Sequence, residues 1–144
     1  MHKRKVWLLV RGDIFCQGLK VHLEQWGLQV VEHPPAQEVA AALTGGQEPA
    51  LVIMDYKSRF SKQEATLLNS GHTIPILFLV AHPEALQTLP AQVQSVRYYC
   101  CLPKPCPLQD LQDAAERLLG VRIAHQQAPE VVVSPFSLPL PAGR

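Results

Sequence analysis

No stretch of this chain reaches the roughly 18 consecutive apolar residues of a membrane-spanning helix, and its start, His2-Lys3-Arg4-Lys5, has no apolar leader core behind it. The segment therefore reads as having no membrane contact of its own. Excess charge is missing too, since thirteen Lys and Arg against twelve Asp and Glu leave a formal +1. That balance gives no field for nucleic acid or an acidic lipid surface. The basic cluster at the start is short and runs straight into a strand, so it reads as solvated. Cysteine is scarce, and Cys16, Cys100, Cys101 and Cys106 do not make the paired C-x-x-C spacing of a zinc site. They read as small buried hydrophobes in a reducing compartment. Also absent is a glycine-rich phosphate loop: Arg11-Gly12-Asp13 holds a single glycine after the first apolar run, and Gly45-Gly46 follow a helical segment as a C-cap. This argues against a flavin or nucleotide enzyme, and the chain is expected not to be an enzyme.

What the sequence does have is order. With 144 residues and 47% apolar side chains it suits one globular domain with a core of its own. Val6-Trp7-Leu8-Leu9-Val10 is a compact apolar strand, followed by Phe15, Leu19, Leu23 and Trp26 at helical spacing and by Gly27 as a stop. Leu28 to Val31 predicts a second strand, residues 36–43 a small helix, and Ala50 to Met54 a third strand. That strand, Leu51-Val52-Ile53-Met54, stops abruptly on Asp55, as a buried parallel strand does when it delivers a carboxylate to the sheet edge. A polar stretch and a short helix through Leu67-Leu68 follow. Ile74 to Val80 predicts the fourth strand, residues 82–93 a weak helix broken by Pro83 and Pro90, and Val96 to Leu102 the fifth strand. The last helix begins near Pro107, with Leu108, Leu111, Ala115 and Leu118 on one face. The expectation is an α/β fold, a doubly wound, parallel, five-stranded (βα)5 sheet of the flavodoxin-like type, over residues 1–120. Residues 121–144, with Pro129, Pro135, Pro139 and Pro141, read as a proline-rich linker or tail.

Three stretches carry a resemblance: Leu51-Val52-Ile53-Met54-Asp55, Pro75 to Val80 with Ala81-His82, and Cys101-Leu102-Pro103-Lys104-Pro105 before the last helix. Together they resemble the receiver (CheY-like) domain of response regulators and hybrid sensor histidine kinases over about residues 5–119. The resemblance implies a phosphorelay in which a phosphohistidine donates to Asp55, Lys104 contacts the phosphoryl oxygens, and Mg²⁺ neutralises charge in transfer. It also implies a histidine kinase, a phosphotransfer domain or another domain of the same chain as partner, with a homodimer left open. The expected location is the cytoplasm, whether free or as the cytoplasmic part of a membrane-bound sensor.

The chain departs from that pattern at the residues that matter most. Val10 and Arg11 stand where receivers carry the adjacent acids that hold the metal. Asp13, two residues past Arg11, is a weak candidate ligand beside Asp55, and its stronger reading is the N-cap of the first helix. Val80 replaces the switching Ser or Thr, and Cys101 the switching aromatic, so the usual hydroxyl–aromatic coupling is lost. The Arg11 guanidinium is expected beside Asp55, filling the space of the metal. The sequence reading is thus a degenerate pseudo-receiver that works as a docking and regulatory module, with no cofactor. The alternative is a working phosphoacceptor that uses Asp55, Lys104 and an unusual Mg²⁺ arrangement.

Overall fold

Apolar residues repeat in runs of four or five with turn-forming residues between them, too short for buried helices and long enough for strands closed in on both faces. In the computed structural model these runs are five parallel strands. Residues 4–57, 59–69, 73–82, 91–104 and 106–124 are described; for Asp13, Phe15, Ala91, Gln92 and residues 121–124 this covers the backbone alone. In chain order the elements are β1 Lys5–Leu9, α1 Asp13–Gln25, β2 Gln29–Glu32, α2 Ala36–Gly45, β3 Leu51–Asp55, α3 Lys62–Asn69, β4 Ile76–Val80, β5 Tyr99–Pro103 and α4 Leu108–Ala124. A short 3-10 turn, Ala91–Ser95, precedes β5. The sheet order β2-β1-β3-β4-β5 reverses direction at β1, between β2 and β3, so the crevice at the carboxyl edge opens beside Asp55.

The alternation of side chains along each strand divides the core in two. Val6, Leu8, Ile53, Leu77 and Cys100 pack with Leu19, Leu23, Leu111 and Leu118 under α1 and α4. Trp7, Leu9, Met54, Phe78 and Cys101 pack with Val39, Leu67 and Leu68 under α2 and α3. Trp7 is buried in the second layer, and its indole Nε1 has no hydrogen-bond partner among the described residues.

The strands start and end one to three residues away from the expected limits, β5 starting at Tyr99 rather than Val96, and two of the shifts have local reasons. β4 begins at Ile76 rather than Ile74, because Pro75 offers no donor to the ladder. Gly46 caps α2 at φ 77°, a conformation that favours glycine. Asp13 is not the N-cap: Gly12 holds that place at φ 100°, and Asp13 is the first helical residue. The reversal into α1 needs a positive φ that only glycine adopts freely, so the cap moves one residue toward the strand. At the far end α4 continues to Ala124, past the expected domain limit at residue 120. The weak helix expected from residue 82 lies mostly outside the described residues, as do residues 125–144.

Candidate functional site

Three elements far apart in sequence meet at the carboxyl edge. β3 delivers Asp55 after four fully buried residues, and the register sets it opposite Leu79 of β4. The Tyr56 N–H donates to the Leu79 carbonyl (2.9 Å), which fixes the strand end. The Lys104 N–H donates to the Val80 carbonyl (2.9 Å) just past β5, so the lysine leaves the sheet toward the same crevice. Its Nζ donates to Asp55 Oδ1 (3.1 Å) and to the Arg11 carbonyl (2.9 Å). The Arg11 N–H donates to Asp55 Oδ2 (2.8 Å). Both carboxylate oxygens are therefore engaged, one by an ammonium and one by a main-chain N–H, with the Asp55 side chain 13% and the Lys104 side chain 21% exposed. Bonds of this charged type are shorter and stronger than neutral ones.

The expectation for Arg11 needs correction. Its side chain is exposed, and among the described residues no ion pair joins the guanidinium to Asp55. The residue acts through its main chain, because the chain is already turning at Gly12 when it passes the carboxylate and the side chain is left on the outer side. Val10 is buried with the α1 and α4 layer, where it offers only methyl groups. The Asp13 side chain lies outside the described residues. Among those described, no three His, Cys, Asp or Glu side chains converge as a metal site. A Mg²⁺ ion, as the receiver resemblance implies, needs several oxygen donors. Here one acid position is aliphatic, another is a cation, and the remaining carboxylate already receives two donors. Among the described residues, the side chains at this edge do not fit the ion.

Val80 and Cys101 are both buried in the α2 and α3 layer. Burial, and then the neighbouring Cys100, push the Cys101 thiol up to about 12, so it is inert near neutral pH. The same layer holds an aromatic cluster that the sequence reading did not foresee. Tyr56 packs edge-on to Phe78 with ring centroids 5.5 Å apart, and Phe60 and Tyr99 complete the group. Burial, then Cys101 and Tyr99, hold the Tyr56 hydroxyl up at about 12.

A second lysine–carboxylate pair was also missed. Lys57 Nζ donates to both oxygens of Glu64 (3.1 and 2.8 Å), whose residue is 5% exposed. The Ser61 N–H donates to Glu64 Oε1 (2.8 Å) and the Glu64 N–H to Ser61 Oγ (3.1 Å). This is a reciprocal capping box at the start of α3, written in the sequence as Ser61-x-x-Glu64. Burial raises the Glu64 carboxyl, but the Lys57 bond and then the Ser61 N–H outweigh it, so the group sits below its ordinary 4.5. At the far side of β1, Glu32 accepts from Lys20 (3.2 Å) and from the Cys16 thiol (3.4 Å). The Lys20 bond, followed by that of Cys16, lowers the Glu32 carboxyl as well.

No protein-family model and no curated protein matches the chain. Solved structures do. The N-terminal domain of a response regulator/sensory box/GGDEF three-domain protein from Carboxydothermus hydrogenoformans aligns at TM-score 0.64 and 22% identity, over 86% of this chain and 100% of that one. A response regulator receiver protein from Sinorhizobium medicae aligns at 0.59 and 18%, over 84% and 98%. The signal receiver domain of a histidine kinase from Syntrophus aciditrophicus aligns at 0.54 and 21%, over 81% and 90%. At these identities the likeness speaks for architecture. The sheet order, the Asp55 strand end and these alignments lead to one conclusion: the chain has the fold of the receiver (CheY-like) domains of two-component signalling.

Proposed function

We propose that this domain is an atypical receiver that serves two-component signalling as a docking and regulatory module rather than as a Mg²⁺-dependent phosphoacceptor or an enzyme. One observation carries the reading: Asp55 is closed off by Lys104 Nζ and the Arg11 N–H, beside acid positions filled by Val10 and Arg11. Metal charge neutralisation contributes several kcal/mol to phosphoryl transfer, and these residues offer no equivalent. The closed carboxylate instead ties β1, β3 and the end of β5 together, which stiffens the edge from which a partner would be met. Partners of the expected kind are a histidine kinase, a phosphotransfer domain or another domain of the same chain, in the cytoplasm.

A second reading has its own observation. Asp55 ends β3 with Lys104 at 3.1 Å, the pairing that a phosphoacceptor needs. Incubation with acetyl phosphate or beryllofluoride, with and without Mg²⁺, and intact mass with amide NMR as readout, separates the two. The docking reading expects no adduct and no metal-dependent shift around Asp55 in folded protein. A metal-dependent adduct that disappears in Asp55→Asn would make the domain a working relay and overturn it.

A further inference from the structure

On the β2 side of β1, beside the Asp55 crevice but not including Asp55, lies an open cavity of about 330 Å³. It sits between the end of β1, the first turns of α1 and the end of β2, and is lined by Arg11, Gly12, Cys16, Gln17, Glu32 and His33. Open α/β sheets take their ligands outside the carboxyl ends of the strands, and pockets for small molecules begin near this size. A cavity of about 150 Å³ holds a benzene ring, so this one has room for a somewhat larger molecule.

Two opposite charges stand on its wall without meeting. Arg11 and Glu32 both line the cavity, yet no ion pair joins them, and Glu32 is held instead by Lys20 at 3.2 Å. The Lys20 bond, then the Cys16 thiol and, through space, His33 lower the Glu32 carboxyl; Arg11 is not among the groups that do so, as expected of charges set apart. Both groups keep binding capacity. The Glu32 carboxylate accepts from Lys20 and, at 3.4 Å, from the Cys16 thiol, which uses two of its about four lone-pair positions. The Arg11 guanidinium is a planar fork that fits a carboxylate, and it forms no ion pair among the described residues, while its main chain is fixed by the Asp55 and Lys104 bonds. The backbone of His33 is also fixed. It is the non-glycine residue at positive φ (46°) among those described, and its N–H donates to the Leu8 carbonyl (3.0 Å). Gln17 adds an amide that can donate or accept. In this cavity a plain anion meets the Glu32 carboxylate and a plain cation meets the guanidinium, so the complementary ligand carries both charges.

We infer that the cavity binds a small zwitterion, a free α-amino acid, with its carboxylate on the Arg11 guanidinium and its ammonium on Glu32. The inference goes beyond the docking reading and does not depend on the state of Asp55. It gives the domain a small-molecule input next to the closed carboxylate, because Arg11 serves the cavity through its side chain and Asp55 through its main chain.

The test titrates the full ¹⁵N-labelled chain with each proteinogenic L-amino acid at millimolar concentration, and with acetate, ethylamine and inorganic phosphate as probes of one charge sign. At least one amino acid is expected to shift the amides of Gly12, Gln17 and His33 and to leave Leu77 and Cys100 unmoved. Arg11→Ala, which keeps the main-chain bonds, is expected to weaken that binding about tenfold or more, and Glu32→Gln likewise. Asp55→Asn is expected to bind the same amino acid, which separates this inference from the reading of the Asp55 site. Cavity amides unmoved by every amino acid would overturn the inference. So would shifts of equal size with acetate, ethylamine or phosphate alone, or binding undiminished in Arg11→Ala.

Discussion

Two lysine–carboxylate pairs stand two residues apart at the end of β3 and have different origins. Lys104 and Asp55 meet at 3.1 Å across 49 residues of chain, while Lys57 and Glu64 meet at 2.8 Å across seven. The first pair is assembled by the sheet register and closes a crevice. The second is assembled by the local geometry of a helix start and pins the loop that leaves Asp55. Between them Tyr56 turns into the core. Three consecutive residues thus serve a site, a core and a cap, and proximity to the site residue alone says little about role.

Substitutions along this triplet break the comparison in order of size. The largest effect is expected at Tyr56→Ala, which removes a buried ring from the Phe78 cluster and should cost about 3 kcal/mol in urea unfolding. Glu64→Gln keeps the capping box but leaves Lys57 without its carboxylate, and about 1.5 kcal/mol of stability should be lost at neutral pH. That loss should itself depend on pH. The folded Glu64 carboxyl lies below its ordinary 4.5, so its contribution is complete above that value and fades as pH falls through the lower folded value. The gap between the parent chain and Glu64→Gln should therefore narrow as pH falls below 4.5 in a series of denaturant titrations. Asp55→Asn keeps shape and acceptor but weakens the Lys104 bond, with about 1 kcal/mol expected because the pair is partly hydrated. Arg11→Ala sharpens the contrast between main chain and side chain. With the N–H and carbonyl retained, its stability should stay within about 0.5 kcal/mol of the parent; a loss as large as that of Asp55→Asn would return the guanidinium to the site.

Much of the fold could be read from the chain, because four- and five-residue apolar runs bounded by glycine and proline have few folded alternatives to a parallel sheet. Leu51 to Asp55 is the clearest case, with β3 ending on the carboxylate as expected. The Ser61-x-x-Glu64 signature was equally plain, and it was missed because the polar loop was compared with the receiver pattern it lacks instead of being read for its own capping chemistry. Arg11 failed for a different reason. A sequence names side chains, and nothing in its pattern tells that the main chain of a residue will face the site while its guanidinium turns to water. Tyr56 failed likewise: its ring packs on Phe78 of β4, a neighbour from another strand that no local pattern supplies.

By itself, then, the sequence determined the strands, their order of appearance and the identities of Asp55 and Lys104, since these follow from local periodicity and from where each apolar run stops. Tertiary structure alone decided what those groups touch. The Asp55 oxygens, the Lys104 ammonium and the Arg11 main chain come from three strand ends brought together by register, and hydrogen-bond partners at 2.8–3.1 Å depend on a convergence that no local pattern encodes.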